Sequence, residues 1–168
     1  MRVPGKGTCL LYGALVVFAA SCGGDGWRGS ATLNQGAALV GELPTNPLGL
    51  RVITCMIDPG NTTMSTLYGN DVAVGYARTH SQHDYPPGAV LSLVTWMQTE
   101  DSRWFGAKIP GQVKSVEFVT VGAAENGAPQ YSYAAYAGNP LKKASTQESG
   151  VPPERAAYFI SSRAAVMP

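Results

Sequence analysis

The chain has 168 residues, with 12 Lys and Arg against 11 Asp and Glu and a formal net charge of +1. That balance excludes the basic excess of a nucleic-acid-binding protein. A content of 45% hydrophobic and 9% aromatic residues excludes a disordered chain, and three cysteines exclude a multi-bridge disulfide framework.

The N-terminus reads as an address. Arg2 and Lys6 precede an apolar run from Cys9 to Ala20. The run is shorter than the roughly 20 residues a membrane span needs, but it fits the apolar part of a secretory signal. Ala19-Ala20-Ser21-Cys22 then resembles a bacterial lipobox. By that resemblance, cleavage before Cys22 leaves its thiol to carry diacylglycerol, and Cys22 is the lipid anchor. The alternative is an ordinary signal cut nearby, with Cys22 free. Residues 1–21 are read as signal peptide. Residues 22–49, rich in Gly, Ser, Ala, Asn and Pro, are read as a flexible tether with a short helix near Gly36–Gly41. One domain is expected over 50–168. The implied partner is a membrane, and the implied location is the bacterial cell envelope, facing the periplasm.

Once Cys9 leaves with the signal and Cys22 is lipidated, Cys55 has no partner thiol. It sits in the apolar run Val52–Ile57 and reads as a buried, inert small hydrophobe.

The domain alternates β-rich runs with turns. Thr62–Tyr68 is β-rich and ends at Gly69-Asn70. Asp71–Thr79 reads as a short helix, with Asn70 or Asp71 able to cap it. Tyr85-Pro86-Pro87-Gly88 is a rigid turn. Ala89–Gln98 is the strongest strand signal: Val90, Ser92, Val94 and Trp96 share one face, and Leu91, Leu93, Thr95 and Met97 the other. Apolar residues on both faces predict a central strand covered on both sides. Thr99–Gly111 reads as a loop carrying an aromatic pair. Val113–Val121 alternates, with Val113, Ser115, Glu117, Val119 and Val121 on one side. Tyr131–Ala137 is a further strand, and Pro152-Pro153-Glu154 opens a helix running to about Ala165. The fold class is α+β: an antiparallel sheet of four to five strands with two to three short helices.

Few residues carry chemistry. The only histidines, His80 and His83, lie in a polar stretch with Asp84 beside them, too few ligands for a zinc site. No metal site and no catalytic residue is assigned. No Cys-x-x-Cys-His occurs, so covalent c-type haem attachment is excluded. Glu100-Asp101 would serve a hydrolase only with a raised carboxyl pKa, and Arg103 beside them argues against that. Trp96, Trp104 and Phe105 either close the core or line a pocket.

A resemblance joins these pieces. Ser65-Thr66-Leu67-Tyr68-Gly69-Asn70-Asp71, Tyr85-Pro86-Pro87-Gly88-Ala89-Val90-Leu91, Trp96-Met97-Gln98 and Arg103-Trp104-Phe105-Gly106-Ala107-Lys108-Ile109-Pro110-Gly111 occur in this order. Together they resemble the cytochrome P-460 domain family over roughly residues 50–165. The resemblance implies a small α+β domain, usually a homodimer. It implies haem c held through a C-terminal Cys-x-x-Cys-His, acting on hydroxylamine or nitric oxide, and in some members a lysine cross-linked to the porphyrin. This sequence departs from it. No cysteine follows Cys55, and no lysine lies between Arg51 and Ala107. None of the family's haem residues carries over.

Two readings follow. In the first, the domain is an envelope-anchored binding or structural module that has lost covalent haem, with Tyr68, Asp71, Trp96, Trp104 and Phe105 as pocket candidates. In the second, it holds haem non-covalently through His80, His83 or Met97 and acts on small nitrogen species.

Overall fold

The computed structural model describes residues 33–80, 84–123, 130–144, 149–150 and 154–165. Strands β1 (Arg51–Asp58), β2 (Thr63–Gly69), β3 (Val90–Glu100), β4 (Lys108–Val121) and β5 (Tyr131–Ala137) lie side by side in chain order. All their pairings are antiparallel. Two-residue strands β6 (Lys142–Lys143) and β7 (Ser149–Gly150) both pair with β5. Helix α1 (Asp71–Thr79) interrupts the meander between β2 and β3, and α2 (Glu154–Ile160) follows the sheet. Two 3-10 turns, Gln35–Ala37 and Pro47–Gly49, precede it.

The α+β class stands, but the sheet has seven strands rather than four to five. The surplus is β6 and β7, because two residues carry no readable period. The hairpin of β3 and β4 is also longer than expected. Its pairing continues through Gln98↔Pro110, Thr99↔Ile109 and Glu100↔Lys108, where a loop was expected. Pro110 and Gly111 suggest a turn, yet here they lie within a strand. Gly111 allows close approach: a Cβ there would lie 3.0 Å from the Met97 carbonyl oxygen.

The register sorts side chains onto two faces. Leu67, Leu91, Leu93, Val119 and Val121 form one core with Ala73 and Val74 of α1, Tyr85, and Ile160 of α2. Val94, Trp96, Val113, Val116, Phe118 and Tyr136 form the second core, on the opposite face. Val113 was expected on the first face. A register shift beside Thr95 and Trp96 sets it opposite Trp96 instead, with Lys114 as the extra residue.

The second core is covered by the chain that precedes the sheet. Trp96 Nε1 donates to the Ala37 carbonyl at 3.0 Å, and the Leu141 amide donates to Val40 at 2.7 Å. Leu39 and Leu43 pack on this cluster, and Pro47 is buried. The expected tether over 22–49 is thus corrected for residues 34–49, which form a docked cover. Their Gly, Asn and Pro content serves turns rather than slack. Cys55 is also corrected. It is exposed, because it lies on edge strand β1 beyond the reach of that cover, with Sγ 3.6 Å from Thr66 Oγ1.

Asn70 ties α1 to the sheet. Its Oδ1 accepts from the Ala73 amide at 3.0 Å and from the Val90 amide at 3.2 Å, and its Nδ2 donates to the Gly88 carbonyl at 2.8 Å. Between the two capping candidates the structure selects Asn70. Asn70→Ala is expected to lower stability by about 2 kcal/mol, the upper range for a lost cap. Asn70→Asp keeps the acceptor and is expected to lose less. Urea unfolding monitored by circular dichroism reads both. Trp96→Phe is expected to cost about 1 kcal/mol, the net worth of one hydrogen bond, and to speed proteolysis within residues 34–49.

Candidate functional site

Between the first face of the sheet and α2 lies a cavity of about 450 Å³, within the usual range for small-ligand sites. Its floor comes from β1, β2, β3 and β4: Met56, Thr63, Ser65, Leu93, Thr95 and Ser115. Three of these form a single transverse row, since Ser65 pairs with Thr95 and Thr95 with Ser115. The Ser65 and Thr95 hydroxyls are 2.9 Å apart. Thr95 and Thr63 are buried although polar. On this same face the following rows are Leu67, Leu93, Leu91 and Val119, so the hydroxyl row interrupts an apolar surface under an open space.

The rim is charged. Asp58, Asn61 and Lys114 stand on the sheet side, with Arg155 and Tyr158 on α2. Asn61 donates through both its amide and its Nδ2 to the Asp58 carboxylate at 3.1 and 2.7 Å. Those bonds, with a smaller contribution from the Lys114 charge, hold the Asp58 carboxyl below its ordinary range.

One row further along the same face is Glu117, paired with Leu93 and buried. Tyr133 donates its hydroxyl to Glu117 Oε1 at 2.8 Å, and Arg155 Nε lies 3.3 Å from Oε2. Arg155 also lies over the Tyr158 ring, 5.4 Å from its centroid. The buried carboxylate therefore holds the helix that roofs the cavity. Met56 adds a softer tie, its sulfur facing the Tyr158 and Ser162 hydroxyls at 3.9 and 3.7 Å. Burial, then the hydrogen bond and charge of Glu117, push the Tyr133 phenol up.

The five expected pocket residues do not line this cavity. Tyr68 and Trp96 belong to the second core, on the other face. Asp71 is exposed in the first turn of α1 and pairs with Arg51 at 3.1 Å. Trp104 and Phe105 are exposed in the β3–β4 turn. Cys22 and His83 lie outside the described residues. The sequence did hold a signal for the true lining. Thr63, Ser65, Thr95 and Ser115 are polar residues in phase with buried leucines and valines, and alternation alone treats such positions as ordinary.

At the end of β3 the Lys108 ammonium, 2.8 Å away, lowers the Glu100 carboxyl by hydrogen bond and charge. That direction opposes a general acid. Asp101 accepts from the Arg103 amide at 2.8 Å, a turn-forming bond.

The sequence model of the cytochrome P-460 family matches residues 50–151, from the start of β1 through β7. The chain belongs to the cytochrome P-460 family. No curated protein matches it. The haem of this family can be tested against the P-460 domain's own residues. Among the described residues, no histidine or cysteine lines the cavity, and no group of three or more His, Cys, Asp or Glu gathers anywhere. His80 ends α1, exposed and stacked on Tyr76 at 4.3 Å. The only thioether in the wall, Met56, already faces two hydroxyls. The donor set does not fit a haem iron.

Glu117→Gln keeps an acceptor for Tyr133 but removes the charge. The Tyr133 pKa is expected to fall in this variant yet stay above the ordinary phenol value of about 10, because burial is the largest cause of its rise. The sign for stability follows. A raised phenol pKa contributes stability that is whole below pH about 10 and is lost as the pH climbs past it. Glu117→Gln is therefore expected to be less sensitive to alkaline unfolding, read by absorbance at alkaline pH beside circular dichroism.

Proposed function

We propose that this chain is a lipid-anchored module of the bacterial cell envelope, facing the periplasm, whose P-460 domain binds a small polar ligand without covalent haem. The observation that carries the reading is the hydroxyl row Ser65, Thr95 and Ser115 at the floor of a ligand-sized cavity. Thr95 is buried and paired with the Ser65 hydroxyl, while Ser65 and Ser115 are half-buried. A hydroxyl both donates and accepts, so the row can engage a ligand that does the same. Lys114, Asp58 and Arg155 at the rim supply charges of both signs, which suits a polar or zwitterionic molecule over a simple anion. The lipobox-like Ala19-Ala20-Ser21-Cys22 supports the anchor. The uncovered strip of β1, with Val52 and Ile57 exposed beside Met64 and Tyr68, supports a homodimer.

The competing reading is non-covalent haem with chemistry on hydroxylamine or nitric oxide. Its ligands are poorly placed: His80 is on an exposed helix end, and Met97 is at the half-open end of β3. A visible spectrum of the protein exported under haem-replete conditions, followed by haemin titration, separates the two. The expected result is no Soret band and no saturable response. A band at one haem per chain, lost in a His80→Ala, His83→Ala double variant, would overturn the proposal. Thr95→Val is expected to keep the fold and to abolish the stabilisation that a bound polar ligand confers in a thermal-shift screen.

A further inference from the structure

The hairpin of β3 and β4 outruns the sheet on both sides. β2 stops opposite Met97, and β5 stops opposite Ser115. Gln98 still donates to the Thr62 and Thr63 carbonyls at 2.8 and 2.9 Å, and beyond it the pairs Thr99↔Ile109 and Glu100↔Lys108 continue past both neighbouring strands. At about 3.3 Å per residue, the two-stranded arm projects roughly 7 Å before its turn begins.

The turn is built, not slack. Asp101 continues the ladder by donating its amide to the Ala107 carbonyl at 3.0 Å. The Ala107 amide donates to Trp104 at 3.0 Å, closing a four-residue turn. Gly106 takes φ +79 at its third position, as a type II turn requires. Phe105 therefore stands at the second position, the first of the two corners. Its side chain is fully exposed, and Trp104 is 70% exposed. A folded turn that holds a Trp and a Phe clear of every core spends apolar area on nothing within the domain.

The start of the domain lies at the base of the same arm. Asn34 Nδ2 donates to the Pro110 carbonyl at 2.6 Å, and the 3-10 turn Gln35–Ala37 runs alongside β4. Only eleven residues separate Asn34 from Cys22. Fully extended, they reach roughly 40 Å. A lipid on Cys22 therefore keeps the arm within reach of the bilayer that holds the lipid.

We propose that Trp104 and Phe105 are a second membrane contact, inserting into the interface of the bilayer that anchors Cys22 and fixing the domain's orientation on it. Trp is the residue most at home at the lipid headgroup level, and Phe beside it reaches the acyl boundary. Lys108 and Glu100, paired at the arm's neck, stay in water. A single anchored point leaves a domain free to swivel; a second contact removes that freedom.

The inference rests on the lipidation of Cys22, and the test separates the two. The full chain is purified from membranes and reconstituted into phosphatidylethanolamine–phosphatidylglycerol vesicles with brominated acyl chains. Tryptophan emission of the wild type is compared with Trp104→Phe, so that Trp27 and Trp96 cancel. The mass of the N-terminal peptide reports lipidation independently. The expected result is a blue-shifted Trp104 component that brominated lipid quenches, and its loss in a Trp104→Ser, Phe105→Ser variant that still folds and still carries lipid. A lipidated chain with unquenched Trp104 overturns the arm contact and leaves the anchor standing. Quenching without lipidation overturns the anchor and leaves the contact. A Trp104 component that shifts with protein concentration rather than with lipid assigns the arm to a second copy and overturns the proposal.

Discussion

Strand β3 buries Leu91, Leu93 and Thr95 on one side and Ser92, Val94 and Trp96 on the other. A sheet with such a strand at its centre needs a cover on each face, and the rest of the chain is arranged to supply both. α1 and α2 cover one face. Residues 34–49 cover the other, held by the Trp96 bond to Ala37. The site is a product of the same constraint. Where α2 carries Arg155 and Tyr158 over the sheet, the floor beneath turns from leucine to hydroxyl.

Much of this was legible in the sequence, for reasons particular residues make plain. The period of two in Ala89–Gln98 assigned both faces of β3 correctly, because both were buried and neither could be confused with solvent. The run Asn70–Thr79 carried its own start signal, and Asn70 caps it. The cover over 34–49 was not legible. It has no period, since it is held by backbone carbonyls of Ala37 and Val40 and by scattered leucines rather than by a repeating face. Composition alone reads such a segment as a linker. Val113 was misplaced because one extra residue at Lys114 reverses the alternation, and nothing local in the sequence announces a bulge. The candidate site fared worst. Aromatics drew attention as pocket residues, yet Trp96 is core and Trp104 faces out. The hydroxyls that do line the cavity were visible, but only the register aligns Ser65, Thr95 and Ser115 into one row.

The family assignment and the chemistry of the cavity pull in different directions, and the difference is instructive. The P-460 match spans the sheet, so the scaffold is kept. The 168 residues contain no Cys-x-x-Cys-His, and the described cavity wall offers hydroxyls and one thioether but no imidazole. A scaffold and the chemistry of a site built on it vary separately, and the residues on the floor decide what the volume accepts.

The order of the elements has a consequence for how the molecule comes into being. β1 to β5 form a meander in which each strand pairs with its sequence neighbour, so the sheet can assemble from local hairpins at small loop-closure cost. Two of the covering pieces, residues 34–49 and α2, flank the sheet in sequence. The N-terminal one is synthesised first and must wait for Trp96 before it has anything to dock on. The C-terminal one, α2, arrives last, and Arg155 can reach Glu117 only when the sheet already exists. The cavity is therefore the final thing to form. Until it forms, the hydroxyl row faces water, and a ligand is enclosed only after α2 has docked on the finished sheet.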